Sequence, residues 1–252
     1  MRRPALPEEV DLVPFEPSFP PGRRWLVLAP HPDDEVFGLG ATLAIARHRG
    51  IEITLVLITD GDAQGDPVVR AQEAIQAARA LDLQPPRSLH FRDRGLDRRS
   101  IPLRRVLREI LAAIRPDTVF VTSPVELHPD HRALALTTQR VLRRSTWLGL
   151  RPGPSWVAAY EVGTPLVPNM LVDAGPGWAA KRAAGAAYAS QLAFHPYDEI
   201  MEAFGSLRRL TLHDVSRAEA FHLLPAVEVV RRSARAWARL MGSDRGVRRR
   251  RA

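Results

Sequence analysis

The chain has 252 residues, 45% of them hydrophobic, and a formal net charge of +8. This length suits one large α/β domain or two small ones, with a sizeable buried core. The absence of cysteine excludes disulfides, thiolate nucleophiles and cysteine-bound metals, so any metal must be held by His, Asp or Glu. No apolar run approaches the ~18 residues of a membrane span.

The two ends of the chain differ in composition from its middle. Residues 1–22 are rich in proline and lack the apolar stretch of a secretion signal, so we expect an arm that lies on the domain or is loose from it. Residues 242–252 carry five arginines after Asp244 and are expected to be a solvated, disordered tail, although such a tail can also attract nucleic acid or an anionic membrane. Residues 23–241 are expected to form the domain of a soluble, cytoplasmic protein.

Apolar runs suited to buried strands alternate with amphipathic segments along the first 150 residues. The strand-like runs lie at 24–30, 51–61, 88–91 and 117–124. Segments with helical spacing follow them at 36–50, 66–83, 101–116 and 129–146. The alternation predicts a Rossmann-like, mostly parallel sheet with helices on both faces, in which ligands sit beyond the carboxyl ends of the strands.

The pattern loosens after residue 150. Two short strand-like runs are expected within 151–175, helices at 177–192, 198–213 and 226–241, and a strand at 217–225. No change in composition marks a second domain. We therefore predict a single α/β domain.

The segment Pro-His-Pro-Asp-Asp-Glu, residues 30–35, places dense charge directly after the first buried strand. Imidazole and carboxylate bind Zn²⁺ and related ions where no thiol is present. Adjacent acids in a loop can point in different directions, one toward a metal and one toward a substrate. The alternative is that Asp33 or Asp34 caps the following helix, which accounts for one acid but leaves His31 and the other acids unexplained.

A second polar cluster, Glu-Leu-His-Pro-Asp-His, follows the fourth predicted strand at residues 126–131. His128 and His131 are three residues apart near a helix start, so they lie on one side of it. Asp130 stands between them and can orient a metal-binding histidine. By itself the cluster also fits a helix-start turn with an exposed histidine.

Both clusters follow strands of one parallel sheet, so they can meet at one edge of it. His31, Asp34 and one of the downstream histidines would give three N/O ligands and leave a position for water, which is the pattern of catalytic zinc sites. Fe²⁺, Co²⁺ or Ni²⁺ would suit such a set as well. A free carboxylate beside the water would be the general base, and the second histidine would stabilise an oxyanion or serve as acid.

The segment AP-HPDDE-VFGLGATLA, followed by HPDH about 95 residues later, resembles the LmbE-like/PIG-L family of zinc-dependent deacetylases. Members of that family remove acetyl groups from N-acetylglucosamine-type sugars. The resemblance covers about residues 23–225 and implies the LmbE-like deacetylase fold. It further implies that His31, Asp34 and His131 are the zinc ligands.

The same resemblance implies roles for the remaining polar residues. Asp33 would be the general base that activates water. His128 would stabilise the tetrahedral intermediate and protonate the leaving amine, and Asp130 would tune it. Arg70 matches an arginine that holds a substrate sugar or phosphate, and Asp93 matches an acid that hydrogen-bonds sugar hydroxyls.

Glu126 departs from the family pattern. It stands two residues before His128, where some members have a tyrosine that helps to stabilise the oxyanion. An acid at this position would repel an oxyanion unless it pairs with an arginine.

The expected function is metal-dependent hydrolysis of the N-acetyl group of an amino sugar or glycoside, which gives free amine and acetate. Two alternatives stay open: a zinc amidase acting on another acyl-amide such as a thiol conjugate, and a non-catalytic nucleic-acid-binding protein that uses its arginine-rich tail. The intact set of ligands and base argues against the second alternative. The expected partner is a small-molecule amino sugar, and the sequence gives no indication of oligomeric state.

Overall fold

A computed structural model describes residues 13–147 and 153–242 of the chain. Its centre is a seven-stranded sheet in the order β3-β2-β1-β4-β5-β7-β6. The strands are β1 (Arg24–Ala29), β2 (Glu52–Thr59), β3 (Arg87–Phe91), β4 (Thr118–Thr122), β5 (Trp156–Tyr160), β6 (Met170–Asp173) and β7 (Ala218–Pro225). Strands β1 to β5 run parallel, whereas β7 pairs antiparallel with both β5 and β6. The predicted mostly parallel sheet is confirmed.

Helices cover both faces of this sheet. They are α1 (Asp34–His48), α2 (Pro67–Ala80), α3 (Ile101–Ile114), α4 (Pro129–Trp147), α5 (Trp178–Ala186), α6 (Ala189–Leu192), α7 (Tyr197–Arg208), α8 (Ala226–Arg231) and α9 (Ala234–Met241). In the described part of the chain, none of them has the length and apolar character needed to cross a bilayer.

Alternate side chains of β1 supply the two apolar layers. Trp25 and Val27 pack in one core cluster with residues of α1, α2 and α5. Leu26 and Leu28 pack in the other with residues of α3, α4, α8 and α9. A strand buried on both faces reads as a continuous apolar run, which is why β1 was recognisable in the sequence.

Two helices predicted as continuous are interrupted. The predicted helix at 177–192 breaks into α5 and α6, because Tyr188 leaves the helical conformation and turns its ring into the core. The predicted helix at 226–241 breaks into α8 and α9, because Arg232 is extended and the Ser233 hydroxyl caps α9 by accepting the Ala236 N–H at 3.1 Å.

The described part of the predicted N-terminal arm lies on the domain. The Ser18 N–H donates to the Leu171 carbonyl of β6 at 2.8 Å, and Phe19 packs against Trp25 with ring centroids 5.5 Å apart. Residues 1–12 of the arm and 243–252 of the predicted basic tail lie outside the described residues.

Helix α1 is broken at Leu39, whose φ of −144° and ψ of 19° are not helical. The break lies where the helix is pressed onto the sheet. A Cβ at Gly38 would be 2.5 Å from Cδ2 of Tyr160 on β5, so only glycine permits this approach. The first glycine of the Gly-Leu-Gly segment thus allows close helix–sheet packing.

Two buried charged side chains, one cationic and one anionic, bind the backbone N–H and C=O groups on either side of this break in α1. Lys181, the single lysine of the chain, donates to the Phe37 carbonyl at 2.9 Å and to Glu219 at 2.6 Å. Glu219 accepts the N–H groups of Ala41 at 3.0 Å and Thr42 at 2.7 Å. This pair therefore stabilises both halves of the helix that begins at the candidate site.

Candidate metal centre and catalytic cavity

The two polar motifs meet in a cavity of about 380 Å³ at the carboxyl ends of the parallel strands. They are brought together because β1 and β4 are neighbours in the sheet. The predicted site residues that line the cavity are His31, Asp33, Asp34, Arg70, Asp93, His128 and His131. Asp130 is buried behind His31.

Three donor atoms form a nearly equilateral triangle on the cavity floor. Nδ1 of His31 lies 3.1 Å from Oδ2 of Asp34, which lies 3.2 Å from Nε2 of His131, and the two nitrogens are 3.3 Å apart. Ligand atoms placed ~2.0–2.1 Å from a tetrahedral ion stand about 3.3 Å from one another. Two imidazole nitrogens and one carboxylate oxygen at this spacing fit Zn²⁺ or a related divalent ion.

His31 and His131 also belong to a second possible set of metal ligands. Ring nitrogens of His31, His128 and His131 also lie within 4.8 Å of one another. His128 is the half-buried member, whereas the other two are buried. A three-histidine set is therefore a geometric alternative to the set that includes Asp34.

The opposite edge of the His31 ring faces two further carboxylates. Its Nε2 lies 3.0 Å from Oδ1 of Asp93 and 3.4 Å from Oδ2 of Asp130. When Nδ1 binds a metal, Nε2 carries the proton, and an acidic partner there fixes the tautomer and the ring orientation. Sequence reasoning placed Asp93 against sugar hydroxyls and Asp130 against His128, and it missed this contact with His31.

The other carboxylate oxygens of this pair bind backbone groups of the surrounding loops. Oδ2 of Asp93 accepts the Ala63 N–H at 3.3 Å, and Oδ1 of Asp130 accepts the Leu96 N–H at 3.1 Å. The loops after β2 and β3 are thereby linked to the imidazole of His31.

His128 is held through the backbone of Asp130. The Asp130 N–H donates to Nδ1 of His128 at 3.2 Å, so the neutral imidazole carries its proton on Nε2. Burial and the nearby charges of His31 and His131 lower the pKa of His128. The ring is therefore a neutral N–H donor that lines the cavity.

Asp33 stands at the cap position of α1 in a strained conformation, with φ 117° and ψ −32°. A non-glycine residue in such a conformation costs of order 1–3 kcal/mol and persists where the surroundings impose it. The side chain of Asp33 makes no capping hydrogen bond, and Asp34 bonds back to His31. The alternative that one of these two acids caps the helix is therefore wrong.

Arg70 of α2 holds the turn that contains Asp33. Its Nη2 donates to the Pro32 carbonyl at 2.5 Å and to Oδ2 of Asp33 at 3.2 Å. The side chain is 2% exposed, and among the described residues neither Nε nor Nη1 has a hydrogen-bond partner. A Cβ at Gly61 would lie 2.8 Å from Nε, so glycine is needed there to admit the guanidinium. Two buried donors of Arg70 thus lack a partner among the described residues, at a residue that lines the cavity.

The surroundings shift the pKa values of the adjacent acids Asp33 and Asp34 in opposite directions. Burial and the Asp34 carboxylate raise the pKa of Asp33 from 3.8 to about 7, although Arg70 and His31 oppose this. Burial also disfavours the charged form of Asp34, but His131 and His31 outweigh it and hold the pKa of Asp34 far below its usual range. Asp33 is thus the acid suited to gain and lose a proton near neutral pH.

Both buried histidines of the triangle are electrostatically stabilised as cations. Burial lowers the pKa of His131, but Asp34 outweighs it and raises the value to about 9. For His31 the hydrogen bonds to Asp130, Asp34 and Asp93 outweigh burial, and the pKa is raised well above 6.5. The surplus negative charge around these rings is what a divalent cation would neutralise.

Backbone amides stabilise the carboxylate of Glu126, and among the described residues no arginine side chain pairs with it. The carboxylate accepts N–H groups from Val162 at 2.7 Å, Gly163 at 3.1 Å and Thr164 at 3.4 Å. Oε2 also lies 3.7 Å from Nδ1 of His131. The acid therefore fixes one wall of the cavity, to which Val162 and Gly163 contribute.

Sequence reasoning assigned no role to Glu35 or Tyr188. Oε2 of Glu35 accepts the Asp33 N–H at 3.1 Å, and its Oε1 accepts the Tyr188 hydroxyl at 2.5 Å. A role for Glu35 could have been suspected from the sequence, because it is the third acid of the first motif and neither metal binding nor base catalysis accounts for it. Tyr188 lies more than 150 residues away in sequence, so only the fold reveals this contact.

Comparison with known proteins supports these observations. Residues 26–142 match the sequence profile of PIG-L, described as GlcNAc-PI de-N-acetylase. A Bacillus subtilis protein named "Probable N-acetyl-alpha-D-glucosaminyl L-malate deacetylase 2" is 32% identical over 47% of this chain and 60% of its own length. The chain thus spans less than two thirds of that relative.

Two solved structures are similar over most of the chain. The conserved protein TT1542 from Thermus thermophilus has a TM-score of 0.68 at 31% identity, over 80% of this chain and 94% of its own. The N,N'-diacetylchitobiose deacetylase from Pyrococcus horikoshii has a TM-score of 0.70 at 25% identity, over 82% and 85% respectively. From its motifs, its fold and these matches, the chain contains a PIG-L/LmbE family domain at residues 26–142.

Proposed function

We propose that the protein is a metal-dependent hydrolase that removes the N-acetyl group from an N-acetylglucosamine-type sugar or glycoside. The observation that best supports this proposal is the triangle of His31, Asp34 and His131, which lies in a cavity lined also by a separate acid, Asp33. The relatives named as deacetylases of N-acetylglucosaminyl malate and diacetylchitobiose support this reaction and substrate class.

His31, Asp34 and His131 would hold the ion, and we propose Zn²⁺, with Fe²⁺, Co²⁺ or Ni²⁺ as alternatives suited to the same donors. When bound, such an ion polarises a carbonyl and lowers the pKa of water. The Asp130 carboxylate would keep the His31 ring oriented by accepting its Nε2–H, and the Asp93 carboxylate, 3.0 Å from the same nitrogen, would add a charge contact.

Asp33 would act as the general base. Its carboxylate takes a proton from the attacking water while the water oxygen adds to the amide carbon. Arg70 holds the carboxylate and the preceding carbonyl, so the base enters the reaction in one orientation. The C–N bond then breaks, acetate is released, and the nitrogen leaves as a free amine after it gains a proton.

His128 would act on the oxygen of the reacting carbonyl, because its ring lines the same cavity. Its Nε2–H can donate to the oxyanion, because Nδ1 is already occupied by the Asp130 N–H. The family resemblance also implies that His128 protonates the leaving amine, but a neutral imidazole with Nδ1 occupied has no acidic proton to give. We therefore propose that Asp33 returns the proton taken from water to the leaving nitrogen, while His128 donates its hydrogen bond. We propose that Asp130 tunes His128 through its backbone amide, since its carboxylate faces His31.

The sugar would bind against Arg70 and Asp93. Arg70 lines the cavity, and its buried Nε and Nη1 have no partner among the described residues. Asp93 lines the same cavity and can accept from a hydroxyl at its rim. The cavity volume of about 380 Å³ lies within the range of small-molecule sites.

The test is to measure metal content and amine release from a panel of N-acetylglucosaminides in one preparation. We expect one equivalent of metal and turnover that a chelator abolishes. Asp33→Ala should keep the metal and lose most activity, whereas His131→Ala should lose the metal itself. Near-normal turnover of Asp33→Ala would overturn the mechanism, and metal without turnover on any sugar would favour the acyl-amide alternative.

A further inference from the structure

Helix α1 fixes the backbone of Asp33, the residue at its cap position, through the Asp33 carbonyl oxygen. The Asp33 carbonyl accepts the N–H groups of Val36 and Phe37, both at 2.9 Å. Its own N–H, at the start of a helix, has no backbone acceptor within the helix. A residue with φ of 117° would relax to a common conformation unless this side were held as well.

Glu35 supplies the missing bond. Its Oε2 accepts the Asp33 N–H at 3.1 Å, from two residues further along the chain. In a capping box a glutamate makes the same bond to the cap residue, whose own side chain in turn binds a helix N–H. Here that second bond is absent, so the Asp33 carboxylate stays free to face Arg70 and the cavity.

Tyr188 holds Glu35 in this orientation. The tyrosine hydroxyl donates to Oε1 of Glu35 at 2.5 Å. Glu35 is 1% exposed and Tyr188 is fully buried, and neither side chain lines the catalytic cavity. The two residues therefore cannot touch a substrate in the cavity, and any effect on the reaction must pass through Asp33.

The segment that carries Tyr188 is anchored to the helix that carries Arg70. The backbone N–H and the hydroxyl of Ser190 both donate to Glu73 of α2 at 2.7 Å. Arg70 lies one helical turn before Glu73 and contacts Asp33 from the other side. The orientation of Asp33 is thus set by two elements that are bound to each other.

We infer that Glu35 and Tyr188 are positioning residues for Asp33. Glu35 binds the backbone N–H at the strained turn, and Tyr188 fixes the carboxylate that does so. The three consecutive acids then have three tasks: Asp33 reacts, Asp34 binds metal, and Glu35 holds the turn. The inference rests on the proposed role of Asp33 as base.

The test compares Glu35→Ala, Glu35→Gln and Tyr188→Phe in the metal-loaded enzyme. Displacing a catalytic group by about 1 Å can cost ~100-fold, so Glu35→Ala should lower kcat roughly 10- to 100-fold. KM and metal content should change little, because substrate and metal contacts stay in place. Glu35→Gln should recover most of the activity, since its amide oxygen can accept the Asp33 N–H and its NH₂ can donate to the Tyr188 oxygen.

Tyr160→Phe is the matched control, because the Tyr160 hydroxyl is also buried but donates to the Leu28 carbonyl. It should lower thermal stability and leave kcat unchanged, whereas Tyr188→Phe should lower kcat. A Glu35→Gln enzyme as impaired as Glu35→Ala would overturn the inference, because the charge and not the bond would then be required. Wild-type kcat in both Glu35→Ala and Tyr188→Phe would also overturn it. A fully active Asp33→Ala would overturn the proposed function instead.

Discussion

Oδ1 of Asp93 lies 3.0 Å from Nε2 of His31, on the opposite side of the imidazole from Asp34. An acid in this position raises the basicity of a metal-bound histidine and holds its ring, and its loss typically costs 10–100-fold in metal affinity or activity. We therefore expect Asp93→Asn to weaken metal binding by roughly 10- to 100-fold. Competition with a chelator of known affinity measures the change.

Asp60→Asn is a suitable control for this prediction. Oδ1 of Asp60 also lies close to a histidine, 2.8 Å from Nδ1 of His90, but that ring is exposed and does not line the cavity. Metal affinity should be unaffected by this change. If Asp93→Asn bound metal as tightly as the unmodified protein, the carboxylate would have no part in holding His31.

Metal binding is expected to release protons. In the metal-free protein the pKa of His131 is raised to about 9 and that of His31 well above 6.5, so both rings are protonated at pH 7. Ligation requires neutral imidazoles, so about two protons should leave per ion at pH 7. Apparent affinity should then rise with pH until both rings are neutral. Calorimetric titration in buffers of different ionisation enthalpy counts these protons, and a heat independent of buffer would contradict the prediction.

Glu126→Ala should destabilise the cavity wall. The change leaves the N–H groups of Val162, Gly163 and Thr164 without their acceptor. An unsatisfied buried donor costs ~1–3 kcal/mol, and these three are only part-buried, so we expect the free energy of unfolding to fall by about 2 kcal/mol in all. Tm should fall by about 4–8 °C, since ~1 kcal/mol corresponds to ~2–4 °C at this size. KM should rise, because this segment lines the cavity.

Glu109→Ala provides the comparison for Glu126→Ala. Glu109 pairs with Arg105 on the surface of α3 and its side chain is 62% exposed. Exposed pairs of this kind contribute little to stability, so Tm should stay nearly constant. An unchanged Tm and KM in Glu126→Ala would show that the three amides find other acceptors.

The architecture followed from the sequence because the signals that specify it are local. Buried strands such as 24–30 read as apolar runs, and α3 begins after Ser100, whose hydroxyl accepts the Leu103 N–H at 3.3 Å. The breaks in the helices did not follow, because they depend on distant partners. Leu39 leaves the helix where Gly38 meets Tyr160, more than 100 residues further on.

The candidate site could likewise be predicted only in part. The meeting of the two histidine-containing motifs could be predicted, since parallel strands end at one edge of the sheet. The partners of individual atoms could not be predicted, because side-chain directions in loops are fixed by tertiary contacts. Asp130 was expected to act on His128, yet its carboxylate turns to His31 and only its N–H reaches His128.

Lys181→Met is expected to be strongly destabilising. The change leaves Glu219 buried without its cation and removes the donor to the Phe37 carbonyl at the break in α1. Removing one partner of a buried ion pair typically costs ~3–5 kcal/mol. Urea denaturation should show a loss of this size in the free energy of unfolding. The double variant Lys181→Met/Glu219→Gln should recover part of it, because no buried charge is then left unpaired.

Arg182→Met tests whether the loss of any charged side chain on α5 destabilises the protein to the same extent. Arg182 is the next residue, and its ion pair with Glu202 is on the surface with the arginine side chain 57% exposed. Its loss should leave the free energy of unfolding nearly unchanged, because exposed ion pairs contribute little to stability. Equal losses in Lys181→Met and Arg182→Met would mean that the buried pair does not stabilise the break. A large loss for Lys181→Met alone would identify the single lysine as the residue that holds the two halves of α1 together, and with them the turn at Asp33.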